Sequence, residues 1–407
     1  MTLQGFAHER FQGVHDVVAA TPSPFGRGGG GISVYADGEL VVDLWGGVAA
    51  PDRPWSPDTR ACVASITKAW AAIVVHQLVE QGALDLDTPL ATWWPEFAAQ
   101  GKAGITLRHV FLHSAGVLGF AGQERLLSGD GWDDYDAIAA GLAGAAPWWS
   151  PGSRHGYHAV SFGWLLNEVV RRVTGETIGT RFERDVAKPL GLDARIGIDV
   201  AELDGIARAL PADAAALPRV QRALQARLAD GGRNPKAPAG YAFLATGRDN
   251  ILDHAPALMA HPGFMSAEVP ASNGVSTARS QARLFAALAN GGTLDGVTVL
   301  QPGTVARMSE VQARSRDQVM TSAAPLLLRA LVPATPWSLG LAANRKMKGK
   351  LALGPNPRSF GAAGFGGQVV LADPDARISI ASICTDFTPT LVQIVPTVTE
   401  AVYRSLG

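Results

Sequence analysis

The chain has 407 residues, of which 47% are hydrophobic and 17% charged, with a formal net charge of −1. That balance excludes a disordered chain and a phosphate-tracking, nucleic-acid-binding one, and the length predicts either one large α/β unit or two subdomains. No stretch of 18 uninterrupted apolar residues occurs, so no membrane span is expected.

The N-terminal segment MTLQGFAHERFQGVHDVVAA has no cationic start, apolar run and small-residue cleavage site, so a cytoplasmic location is expected. Within it, Phe11, Val14 and Val18 fall at helical spacing. GRGGGGISV (26 to 34) precedes a strand instead of following one, which excludes a dinucleotide-binding loop and suggests a flexible turn. GISVYADGELVVDLWGG (31 to 47) then sets two β-rich runs around Asp37-Gly38, a strong hairpin signal.

ACVASITKAW (61 to 70) puts Ser65 and Lys68 three positions apart where a loop gives way to a helical pattern. Ile66, Ala69, Trp70, Ile73, Val74 and Leu78 keep that pattern until Gly82. The residues alone leave two readings. Ser65 is a helix N-cap with a lysine one turn on, or it is a nucleophile beside a lysine that burial would help to deprotonate, with free N–H groups nearby to hold an oxyanion.

From about 76 to 290 helical patterns dominate. His109 and His113 lie at i and i+4 in TLRHVFLHSAG without a third ligand, so no metal site is expected, and His113 would favour the helix C-terminus electrostatically. PWWSPGSRHGYHAVSFGWLLNEVVRRVTG (147 to 175) runs from a Pro151-Gly152 turn through Tyr157 into an amphipathic helix. Tyr157 is a structural phenol or a proton carrier. His155 and His158 flank it at a rim or behind it, and Trp148 and Trp149 wall a pocket or pack in the core. LPRVQRALQARLADGGRNPKAPAG (217 to 240) gives a basic helix with Val220, Leu224 and Leu228 on one face, expected to pack on the core, with a membrane-surface role as the alternative.

Near the C-terminus, the glycine-rich SFGAAGFGGQVV (359 to 370) leads into a second hairpin in QVVLADPDARISIASIC (368 to 384). Leu391, Ile394, Val395, Val398 and Val402 trace a closing helix that Pro396 should kink or interrupt. Cys62 and Cys384 are too few for a disulfide framework and are expected buried and reduced. The fold class expected is therefore α/β (α+β). Residues 1–75 and 291–407 supply an antiparallel sheet flanked by helices, residues 76–290 an inserted, mainly helical region, and the cleft between them a small-molecule site.

The ordered set GELVVDLWGG, ASITKAW, LRHVFLHSAGVLGF, WSPGSRHGYHAVSFGWLLNEVVRRVTG, ASNGVSTA and LGPNPRSFGAAGFGGQVVLADPDAR resembles the serine β-lactamase and penicillin-binding-protein superfamily. Most specifically, it resembles the class C β-lactamase-related, family VIII carboxylesterases. The resemblance implies a serine β-lactamase-like fold, Ser65 as nucleophile, Lys68 and Tyr157 as the proton-transfer pair, and the N–H groups of Ser65 and Phe365 as oxyanion hole. Trp149, His158, Ala362, Gly364 and Gly366 would be substrate-contacting positions. Two departures stand out: Tyr157-His158-Ala159 replaces Tyr-x-Asn, and Ala362-Ala363-Gly364 replaces Lys-Thr-Gly.

The function expected is cofactor-independent hydrolysis of small-molecule carboxylic esters with small to medium acyl groups. The alternatives are an acyltransferase or cyclising enzyme of the same superfamily and, motivated by the bare Ala362, a non-catalytic scaffold. Neither a nucleic-acid nor a metal partner is implied, and the oligomeric state stays open.

Overall fold

A strand, β1 (Leu3–Ala7), and a helix, α1 (Gln12–Ala20), open the chain, followed by the hairpin of β2 (Gly29–Ala36) and β3 (Glu39–Ala50). Its turn holds Asp37 at φ 51° and Gly38 at φ 88°, the left-handed pair that a two-residue turn between right-twisted strands demands. The glycine run ahead of it is not the flexible turn expected. Gly29, Gly30 and Gly31 lie buried inside β2, and a Cβ on Gly30 would sit 2.5 Å from the carbonyl oxygen of Ile383. Close approach of neighbouring groups, not mobility, requires glycine there.

Two short strands, β4 (Arg53–Pro54) and β5 (Ala61–Cys62), lead through a 3-10 turn at Ala64–Ile66 into α2 (Thr67–Glu80). The helical region follows as α3 (Leu107–Phe111), α4 (Tyr135–Gly144), α5 (Ser161–Thr174), α6 (Ile178–Phe182), α7 (Arg219–Gly232), α8 (Pro238–Ala242), α9 (Ile251–Leu258) and α10 (Pro262–Ser266). Strands β6 (Ala194–Ile196) and β7 (Gly274–Ser276) pair with β5 in the order β5-β7-β6. Next come α11 (Ala278–Ala289), the hairpin of β8 (Thr293–Leu294) and β9 (Val297–Thr298), α12 (Pro302–Ser309), β10 (Ala313–Arg316), α13 (Gln318–Ala323) and β11 (Ala334–Trp337). The chain closes with β12 (Ala342–Ala343), the pair β13 (Lys346–Met347) and β14 (Lys350–Leu351), β15 (Phe360–Gly364), β16 (Gln368–Asp373), β17 (Ile378–Cys384) and α14 (Ile394–Leu406). The computed structural model describes residues 2–407 apart from 214, 216–218, 345, 348–349, 352 and 388–393.

Among the described residues, eight strands form the main sheet, in the order β1-β3-β2-β17-β16-β15-β12 with β4 attached to β3. Every neighbouring pair is antiparallel, and the two chain ends meet where β2 pairs with β17. Strand β17 is buried on both faces. Its Ile378 and Ile380 join Val14, Val18, Val398 and Val402 in a core under α1 and α14, while Ala381 and Ile383 point into a larger core shared with α11 and the helical region. Strand periodicity thus sends alternate residues into two cores. In the larger one, the Trp70 ring of α2 stacks on Phe182 at 4.6 Å.

Pro396 falls within α14, whose described part runs from Ile394. Leu391 and the side chains of Val220, Leu224 and Leu228 lie outside the described residues. Cys62 and Cys384 are buried and free, and burial pushes both thiols up to about 12. No helix among the described residues is long and apolar enough to cross a membrane.

Candidate active site

Ser65 sits on an elbow between β5 and α2. Ala64 takes φ 48°, a left-handed conformation unfavourable for a residue with a Cβ. Buried Thr67 braces the bend, its hydroxyl donating to the Ala64 carbonyl at 2.6 Å and accepting the Gly274 N–H at 2.9 Å. No side chain caps the start of α2, so Ser65 is not the N-cap that one reading allowed. Its Oγ instead meets two side chains: the Lys68 Nζ donates at 3.2 Å and the Tyr157 hydroxyl at 2.9 Å.

Lys68 is 7% exposed. Its other partner is the Ala271 carbonyl at 2.8 Å, and its Nζ lies 4.9 Å from the Tyr157 ring centre. Burial lowers the pKa of this ammonium from the ordinary 10.5, and Tyr157 opposes the shift only in part. The nitrogen is therefore held closer to its neutral form than a surface lysine would be.

The loop carrying Tyr157 is gripped on two sides. The Gly156 N–H donates to the His113 carbonyl at 2.9 Å and the His158 N–H to His113 Nδ1 at 3.0 Å, while the Tyr157 N–H donates to Asp317 Oδ1 at 3.1 Å. Burial holds His113 well below its usual range and His158 down to about 4. His113 therefore stays neutral and gives no electrostatic support to a helix C-terminus, contrary to expectation. It also lies beyond α3, at φ 53°. His109 instead closes a capping box with Thr106, and no group of three metal-ligating side chains occurs among the described residues.

A cleft opens over Ser65. Tyr157, Phe365 and Ala159 line it, and its far wall comes from Phe243, Phe264 and the α9 side chains Ile251, Ala255 and Leu258. Among the described residues, no Asp, Glu, Lys or Arg side chain lines it. Phe365 follows β15, whose end packs on the elbow: a Cβ on Gly364 would lie 2.5 Å from the Val63 carbonyl oxygen, and Gln368 Nε2 donates to the Cys62 carbonyl at 2.9 Å.

The other expected contact positions lie off the cleft. Trp149 is buried with its indole N–H on the Ser114 carbonyl at 3.1 Å, which makes it a core residue. His158 is 0% exposed, so it stands behind Tyr157 and not at a rim. Ala362 is half-buried in β15 opposite Val370, and Gly366, at φ 92°, packs on the Phe387 ring. Gly364 serves close packing against the elbow. The α9 wall escaped sequence reasoning, although Asn250 and Asp253 form a capping box ahead of it and Ile251, Ala255 and Leu258 keep helical spacing.

A sequence profile of the beta-lactamase family matches residues 17–400. The chain belongs to the beta-lactamase family. It is 34% identical over 382 residues to the esterase/beta-lactamase LipL of Mycobacterium tuberculosis, covering 90% of this chain and 80% of that one. Among solved structures it is similar to a penicillin-binding protein homologue from Caulobacter crescentus, at 32% identity and a TM-score of 0.82. It is also similar to a family VIII carboxylesterase, at 31% identity and a TM-score of 0.80, and both matches cover 100% of each chain. The mixed helical and antiparallel-sheet architecture is thus the fold of beta-lactamases and penicillin-binding proteins, as the sequence resemblance implied.

Proposed function

We propose that this beta-lactamase-family protein is a serine carboxylesterase that cleaves esters of small to medium acyl groups through an acyl-enzyme on Ser65. The observation carrying this reading is the convergence of Lys68 and Tyr157 on the Ser65 hydroxyl at one end of an uncharged, largely apolar cleft. The relatives described as an esterase/beta-lactamase and a family VIII carboxylesterase support it.

In this mechanism Ser65 Oγ bonds to the ester carbonyl carbon while its proton passes to the Lys68–Tyr157 pair, and the N–H groups of Ser65 and Phe365 receive the oxyanion. Collapse breaks the carbon–alkoxide bond, and the pair returns the proton to the leaving alcohol. Water then attacks the acyl-enzyme by the same route and releases the carboxylic acid. The lowered Lys68 pKa suits this task, because an amine closer to its neutral form takes up a proton more readily than a surface lysine.

Intact-mass measurement after treatment with a fluorophosphonate tests the reading. One adduct on Ser65 is expected, and Ser65→Ala should abolish both the adduct and ester hydrolysis. Hydrolysis that persists in a folded Ser65→Ala variant overturns it.

A further inference from the structure

The strongest feature outside the cleft is an exposed face built by β10, α13 and the 3-10 turn Leu326–Leu331. Leu326 is 77% exposed, Leu331 75% and Met320 44%. One exposed leucine is ordinary, but these flank a six-residue turn that hydrogen bonds hold to its neighbours. The Arg316 guanidinium donates to the Ala330 carbonyl at 3.2 Å, and Arg329 donates to the carbonyls of Ala324 and Ser322 at 3.2 and 3.3 Å. These bonds fix the apolar side chains on an ordered surface, and Arg314 and Arg316 stand exposed on β10 beside it.

The charge of this segment departs from that of the chain. Residues 311 to 337 carry three arginines, Arg314, Arg316 and Arg329, and one acid, Asp317, within a protein of formal charge −1. Asp317 is buried and spends its carboxylate on backbone N–H groups, so it does not neutralise the surface. The basic helix α7 contacts α13 and adds exposed Arg219 and Arg222.

We propose that this face docks the protein on an anionic phospholipid surface, with Leu326, Leu331 and Met320 entering the headgroup boundary and the arginines facing lipid phosphates. The combination selects this occupant. Protruding apolar side chains need an acyl layer to enter, and the positive field attracts an anionic leaflet. A polyanion such as a nucleic acid would use the charge but leave the leucines in water. The docking stands independently of the esterase reading, because its test is binding and not turnover.

The full-length protein is sedimented with phosphatidylcholine vesicles made with and without phosphatidylglycerol. Binding is expected only with phosphatidylglycerol and should weaken as salt rises. Leu326→Ser with Leu331→Ser should lower partitioning about tenfold, and Arg314→Gln or Arg329→Gln about fivefold each. Hydrolysis of a soluble ester should be unchanged in all of these variants. Three results would overturn the proposal: no sedimentation with anionic vesicles, binding that ignores the leucine substitutions, or light scattering in which those substitutions turn a dimer into a monomer, which would assign the face to a second copy of the chain.

Discussion

The carboxylate of Asp317 accepts the backbone N–H of Tyr157 at 3.1 Å, across 160 residues of sequence. The same Oδ1 caps α13 through the N–H groups of Val319 and Met320 at 2.9 and 3.1 Å, so one side chain ties the helix to the loop that aims the Tyr157 hydroxyl at Ser65. Asp317→Ala removes the acceptor and should lower kcat by about tenfold to a hundredfold with little change in KM. Asp317→Asn keeps an oxygen in place and should stay within about threefold of the parent. Steady-state kinetics check both, and in a Tyr157→Phe background Asp317→Ala should add no further loss if it acts through Tyr157. Full additivity in that double variant would reduce Asp317 to a helix cap.

Lys68 sets a pH dependence. Its folded-state pKa is lowered by burial, so between that value and the ordinary 10.5 the unfolded chain binds more protons than the folded one. Stability therefore rises with pH through that window. Activity should rise with pH in the same direction if the neutral amine takes the Ser65 proton, with a midpoint below that of a free lysine. Lys68→Met should lower kcat by about a hundredfold or more while raising Tm at neutral pH, since it removes a buried cation whose partners are a hydroxyl and a carbonyl. Calorimetry beside a kcat/KM pH profile checks the pair, and a lower Tm in Lys68→Met would contradict it.

Ala255 lines the cleft from α9, beside Ile251 and Leu258. Enlarging it to leucine should remove room for the acyl chain and leave Ser65, Lys68 and Tyr157 in place. A buried methylene is worth about 0.8 kcal/mol, so the preference for a longer over a shorter ester should fall about fourfold for each methylene excluded. A kcat/KM series over chain length measures this. An unchanged chain-length profile would mean that the acyl group lies elsewhere.

The contrast between α9 and the elbow explains what the sequence could reveal. Asp37-Gly38 and the spacing of Ser65 and Lys68 are local signals: two left-handed residues make a hairpin turn, and two positions one turn apart meet at a helix start. The approach of Tyr157 was legible only through the resemblance, because nothing local brings residue 157 to residue 65. Periodicity likewise shows that Ile251, Ala255 and Leu258 share a face without showing what that face covers. The Asp317 bond to a distant backbone N–H leaves no pattern at all. His113 and the glycines of β2 misled for a related reason: burial, which decides both cases, comes from segments far away in the chain.

The last prediction is that neutral esters are turned over far better than penicillins or cephalosporins. A β-lactam brings a carboxylate and a side-chain amide, and the cleft lines neither with a charge: Ala159 lies where related β-lactamases carry an asparagine, Ala362 stands in place of a lysine, and among the described residues no Arg or Lys side chain lines the cavity. An arginine at the cleft would have supplied the missing cation. With none lining it, a bound carboxylate gives up water for apolar neighbours such as Ile251, Leu258 and Phe264. Each buried polar group left unpaired costs about 1 to 3 kcal/mol, more if charged, so two of them lower kcat/KM by roughly 10² to 10⁴. An uncharged ester escapes both losses, since it asks only for the oxyanion hole and an apolar wall. The measurement is kcat/KM for a short-chain aryl ester and for a chromogenic cephalosporin on one preparation. Equal efficiency on the two substrates in the unaltered protein would show that the cleft binds a carboxylate by some other group and would remove the physical basis for an ester preference.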